Sequence, residues 1–193
     1  MKEIRKSNEK ITNTDRRIEG YAIVFNSESN DLGFIETINE RALDGVIEKS
    51  DCFALLNHDD SRGILARSKY GEGTLTLTVD DIGLRYEFEA PNTQLGDETL
   101  ELIKRGDIDG SSFAFTIAEG GEKWEKRNGK YYRNITKIDR LFDVSPVYQP
   151  AYNATTCVAD TRGMDELKNA ENELKAYYQE LRGRISDNNS DEK

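Results

Sequence analysis

Residues 73–91, GTLTLTVDDIGLRYEFEAP, constrain the fold more than any other stretch. Leu75, Leu77 and Val79 alternate with threonines, a period of two that lines one face of a strand and gives no apolar stripe on a helix. The polar DDIG supplies a turn, and the chain runs back as a second strand until Pro91. A hairpin is not stable alone, so the rest of the chain must cover its apolar face.

Further strands are expected at RRIEGYAIVFN, where Ile18, Tyr21, Ile23 and Phe25 carry the pattern, and at GFIETI, CFALLN, GILARS, SSFAFTIA, KWEKR and KYYRNITKIDRLFDVSPVY, with RNGK turning the last two. NERALDGVIEKS reads as a short helix with Asn39 as N-cap and Ala42, Leu43, Val46 and Ile47 on one face. LGDETLELIKRGD reads as a second, with Gly106 placed to stop it. The fold class is α+β, mainly β. Residues 1–14 are polar and expected to be flexible, and 15–162 form the domain. Residues 163–185 form an amphipathic helix in which Leu167, Leu174 and Leu181 recur every seven positions, and 186–193 are a polar, disordered tail.

A formal charge of −10, from 27 basic against 37 acidic residues, argues against nucleic acid and anionic membrane surfaces as partners. No apolar run approaches the ~20 residues that cross a bilayer, and MKEIRKSNEK lacks the apolar centre of a signal peptide, so a soluble cytoplasmic protein is expected. Cys52 and Cys157 are far apart with no nearby thiol or histidine, so neither a zinc site nor a disulfide framework is expected, and no cofactor is called for.

Three residues stand out as candidates for chemistry. His58, the chain's one histidine, sits where apolar FALLN gives way to acid; its plain alternative is a residue hydrogen-bonded to a neighbouring loop. In DIDGSSFAFTIA, Ser111 shares a strand face with Phe113, Phe115 and Ile117, whereas Ser112 shares the other with Ala114 and Thr116. Ser112 therefore looks out of the core among small residues, as a nucleophile requires, though Gly and Ser are also common at strand starts. Asp143 interrupts Leu141, Phe142, Val144 and Val147 and needs a strong partner. An imidazole, Arg140 or backbone amides would each serve.

These stretches occur in the order NHD at a strand end, a Ser-Phe pair after a short helix, then DVSPVYQPAY. With EGYAIVFN and GLRYEFEAP, they resemble the prohead maturation proteases of tailed bacteriophages, relatives of the herpesvirus capsid protease assemblin. The resemblance covers roughly residues 15–160. It implies a serine endopeptidase on a herpesvirus-protease-like β-barrel flanked by short helices, with His58 as catalytic histidine, Ser112 as nucleophile and Asp143 as third member. The third position is acidic in the phage enzymes and histidine in the herpesvirus ones, and Asp139 and Asp59 stay open as alternatives.

The resemblance also implies substrates: the scaffold, the scaffolding segment of the major capsid protein, and the enzyme itself, cleaved inside the immature capsid in the bacterial host cytoplasm. A homo-oligomer is left open. The competing readings are a catalytically inactive assembly module of the same fold and a cysteine hydrolase using Cys52 or Cys157 with His58. Six strand positions separate Cys52 from His58, ~20 Å if extended, too far for proton transfer.

Overall fold

The computed structural model describes residues 1–7, 11–148 and 162–188. Its strands are β1 (Glu3–Ser7), β2 (Thr12–Thr14), β3 (Arg17–Val24), β4 (Ile35–Ile38), β5 (Asp51–Ala54), β6 (Ala66–Lys69), β7 (Glu72–Gly73), β8 (Leu75–Val79) and β9 (Gly83–Glu89). Helix α1 (Gln94–Arg105) follows, then β10 (Ile108–Ile117), β11 (Glu122–Arg127), β12 (Lys130–Ile135), β13 (Ile138–Tyr148) and helix α2 (Arg162–Asn188). The closing QPAY of the last motif, Cys157 and residues 189–193 lie outside the described residues.

The strands form a six-stranded sheet ordered β1-β10-β13-β5-β6-β7, a four-stranded sheet β2-β3-β9-β8 and a three-stranded sheet β11-β12-β4. The two larger sheets face each other across a core that includes Ile18, Ile23, Leu75, Leu84, Phe113, Phe115, Leu141 and Val144. Between them Tyr86 and Ser111 share a hydrogen bond of 2.7 Å. A β-carbon at Gly20 would lie 3.0 Å from that same Ser111 hydroxyl, so the close approach of β3 leaves little room for a side chain there.

The fold is mainly β, as expected, but no ladder closes the sheets into a barrel among the described residues. The six-stranded sheet ends at β7, which spans only Glu72–Gly73 and is too short to carry a ladder onward. The helix expected over NERALDGVIEKS is instead two 3-10 turns, Glu40–Leu43 and Ile47–Lys49. Asn39 does cap the first, accepting from Arg41 N at 3.0 Å, but Gly45 at φ +66° breaks the run before an α-helix can propagate. Helix α1 forms where expected, capped by Thr93 and stopped by Gly106 in the left-handed conformation.

The N-terminal segment, expected to be flexible, supplies β1 and β2. Besides its ladder with β10, β1 is held by buried charge. Glu3 and Arg5 are buried and meet buried Glu36 of β4 and Arg133 of β12. Arg5 binds Glu36 with both Nε (2.5 Å) and Nη2 (2.8 Å), and Arg133 binds Glu3 at 2.6 and 2.8 Å and Glu36 at 3.0 Å. Each buried charge therefore has opposite charges at hydrogen-bond distance, the condition under which burial is tolerated. Helix α2 leans on the β11–β12 hairpin through Lys126–Glu171, while Leu174 and Tyr177 stay exposed; it runs to Asn188, past the expected boundary at 185.

Candidate active site

The site is assembled from β5, β10 and β13, neighbours in the six-stranded sheet. Strand β10 presents Ser112 opposite Ser145 of β13, and Ala114 opposite Asp143. The next pair is Phe115 with Leu141, so Phe142 is an extra residue on β13 and forms a bulge beside Asp143. Asp143 and Ser145, two residues apart, share a face, and the Ser145 hydroxyl donates to Asp143 Oδ1 at 2.7 Å.

His58 arrives from the loop after β5. Buried Leu55 and Leu56 anchor the approach, and then Asn57 and His58 both take left-handed backbone, at φ +55° and +61°. Such conformations cost ~1–3 kcal/mol each for residues other than glycine and persist only when the surroundings fix them. Here the Asn57 amide donates to the Pro146 carbonyl at 2.9 Å, tying the turn to β13. Asp59 caps the following 3-10 turn by accepting from Ser61 N at 3.0 Å. The imidazole is thereby turned back over the sheet.

The result is a continuous chain of contacts. His58 Nδ1 lies 2.5 Å from Asp143 Oδ1, and His58 Nε2 lies 2.6 Å from Ser112 Oγ. Asp143 is 1 % exposed and Ser112 3 %, so both work in a largely dry environment. Burial pushes the Asp143 carboxyl upward, but the His58 hydrogen bond and charge, the Ser145 hydroxyl and the Lys2 charge outweigh it and hold the group below the usual aspartate range. An ionised carboxylate only accepts, so the proton on their shared bond belongs to Nδ1, which leaves the Nε2 lone pair facing Ser112. The Ser112 hydroxyl has a second acceptor, the Arg5 carbonyl of β1 at 2.7 Å, and its one proton serves one acceptor at a time.

The sequence-derived residues His58, Ser112 and Asp143 thus meet, and their neighbours do not compete. Ser111 points to the opposite face, at Tyr86. Asp59 is spent on its turn, and Asp139 lies 3.6 Å from Lys49. Asp143 is partnered by His58, Ser145 and Lys2 rather than by Arg140. Cys52 is buried, and burial together with the Asp143 charge pushes its thiol well above the ordinary range, which leaves it a poor nucleophile. Among the described residues no group of three or more His, Cys, Asp or Glu could hold a metal ion, and no helix is long and apolar enough to cross a membrane. A cavity of about 150 Å³, lined in part by Arg5, Ile23, Ser29, Glu36 and Phe113, includes none of the three residues.

Sequence reasoning missed Ser145, Lys2 and the Arg5 carbonyl. Ser145 was within reach, since a serine two positions from Asp143 on one strand must share its face. The other two depend on β1 pairing with β10 across more than a hundred residues, which no local pattern signals.

A family model described as caudovirus prohead serine protease matches residues 2–170. Among solved structures, the bacteriophage T4 capsid assembly protease, gp21, is similar at 12% identity with a TM-score of 0.46, over 78% of this chain and 97% of that one. No curated protein matches the chain.

Proposed function

The chain belongs to the caudovirus prohead serine protease family, and on that premise we propose that it is a capsid-maturation endopeptidase in which Ser112, His58 and Asp143 form the catalytic triad. The observation that carries this reading is the position of His58, with one ring nitrogen at the Ser112 hydroxyl and the other at a buried carboxylate. A serine hydroxyl is a weak nucleophile at neutral pH. His58 Nε2 takes its proton as Oγ bonds to the scissile carbonyl carbon, then returns that proton to the nitrogen as the C–N bond breaks. Water enters by the same route, giving its proton to Nε2 and its oxygen to the acyl carbon, and Ser112 regains its hydrogen. Asp143 keeps Nδ1 protonated and stabilises the imidazolium. The base step is worth ~10²–10⁴-fold in rate.

The substrates in this reading are the scaffold, the scaffolding segment of the major capsid protein and the chain itself, cut inside the prohead in the host cytoplasm. Kinship with herpesvirus assemblin belongs to the same reading and rests on the sequence motifs. The test is co-expression with the capsid protein and scaffold of the same phage, followed by intact-mass spectrometry. Wild type is expected to trim them and Ser112→Ala to leave them whole. Equal trimming by both would remove Ser112 from the role, and no trimming by either would favour an inactive assembly module.

A further inference from the structure

The Asp143 carboxylate uses its two oxygens unequally. Oδ1 accepts from both His58 and Ser145, whereas Oδ2 is buried and has no hydrogen-bond partner. The group nearest to Oδ2 that can balance it is the Lys2 ammonium at 3.3 Å, an ion pair without hydrogen-bond alignment. The same ammonium stands 5.3 Å from the centre of the Phe142 ring, the bulge residue next to Asp143. Two contacts of its ammonium therefore place one half-exposed lysine at the carboxylate oxygen that does not meet the imidazole.

We propose that Lys2 is a positioning residue for the hydrolytic reaction: its ammonium holds the Asp143 carboxylate ionised and oriented so that Oδ1 remains with His58. This rests on the catalytic reading of Asp143 given above. Two exposed ions gain little from pairing, but here one partner is out of water, where a single opposite charge counts for more. The groups that act on this carboxylate are few. His58 comes from the loop after β5, Cys52 lies on β5 itself, Ser145 is on the same strand and Lys2 precedes β1. The thiol is neutral, which leaves the imidazole and the Lys2 ammonium as the basic groups that face Asp143. The contacts of Lys2 are with Asp143 and Phe142, and it acts through Asp143.

His58 is the only histidine in the chain, so its Cε1 proton gives one resolvable signal by which to follow the carboxylate–imidazole pair. The experiment is NMR titration of the full-length wild type, Lys2→Met and Lys2→Arg, with the acid limb of kcat/KM on a trimmed peptide measured alongside. Loss of the ammonium lets the pair keep its proton longer, so both midpoints are expected to move up by about half a pH unit in Lys2→Met, after allowance for the exposure of Lys2. Lys2→Arg is expected to stay at the wild-type value. Superimposable curves for wild type and Lys2→Met, or equal shifts for Met and Arg, would overturn the proposal. The NMR arm needs no turnover, so a failed triad assignment would show as absent hydrolysis with the Lys2 shift still present.

Discussion

Ser111 and Ser112 are adjacent on β10 and serve opposite sides of the sheet: Ser111 bonds to Tyr86 at 2.7 Å in the space between the sheets, and Ser112 lies 2.6 Å from His58 Nε2 on the other face. The two hydroxyls are separable by mutation. Ser112→Ala is expected to abolish proteolysis, by at least ~10³-fold, with the melting temperature nearly unchanged. Ser111→Ala is expected to retain most activity and to cost ~1–3 kcal/mol of stability, because it strands the buried Tyr86 hydroxyl. Peptide hydrolysis and urea unfolding of both variants check this, and a reversal of the two phenotypes would refute the facing.

Asp143→Asn keeps the shape of the side chain and removes its charge. An amide can donate to Nδ1 and so favour the wrong tautomer, with Nε2 protonated toward Ser112. A fall in kcat of about 10⁴-fold is expected, with KM little changed, checked by steady-state kinetics on a peptide substrate. Loss of less than tenfold would exclude this residue as the group that orients His58.

The depressed Asp143 carboxyl also predicts a pH dependence of stability. Because the folded chain favours the ionised form, the stabilisation is fully present above the unfolded value near pH ~3.9 and is lost as pH falls through the lower folded value. Urea denaturation of wild type and Asp143→Asn from pH 6 down to pH 2.5 measures it. The stability difference between them is expected to change in the acid range, in the direction that removes the advantage of the carboxylate.

The buried charges of Glu3, Arg5, Glu36 and Arg133 make β1 dependent on residues far away in sequence. Arg133→Met leaves Glu3 and Glu36 with too little positive charge and is expected to destabilise the fold by ~3–5 kcal/mol. Since β1 carries the Arg5 carbonyl beside Ser112, and Lys2 just before it sits at Asp143, hydrogen exchange at β1 amides is expected to rise together with the loss of stability. Unchanged protection of β1 would show that the network does not anchor it.

Much of this was legible locally. The period of two in SSFAFTIA puts Ser111 on the core face of the strand and Ser112 on the other, and Gly106 ends α1 as its position predicts. The parts that were not legible are non-local. The charges in EIRKS read as a solvated tail because their partners, Glu36 and Arg133, lie 31 to 130 residues away. The NERALDGVIEKS run has helical spacing of its apolar residues, yet Gly45 in its middle weighs against propagation more than the spacing weighs for it. The bulge at Phe142, which sets the Asp143 side chain, follows from pairing with β10 and leaves no mark in the sequence of β13 alone.

The central claim is that His58 activates the Ser112 hydroxyl, and covalent labelling by a fluorophosphonate reads it directly. The Ser112 oxygen would bond to phosphorus as fluoride leaves, and peptide mapping locates the adduct. The account predicts one label per chain, on Ser112, absent in Ser112→Ala and slowed at least a hundredfold in His58→Ala. Labelling of Ser112 at the same rate with and without the imidazole would contradict it.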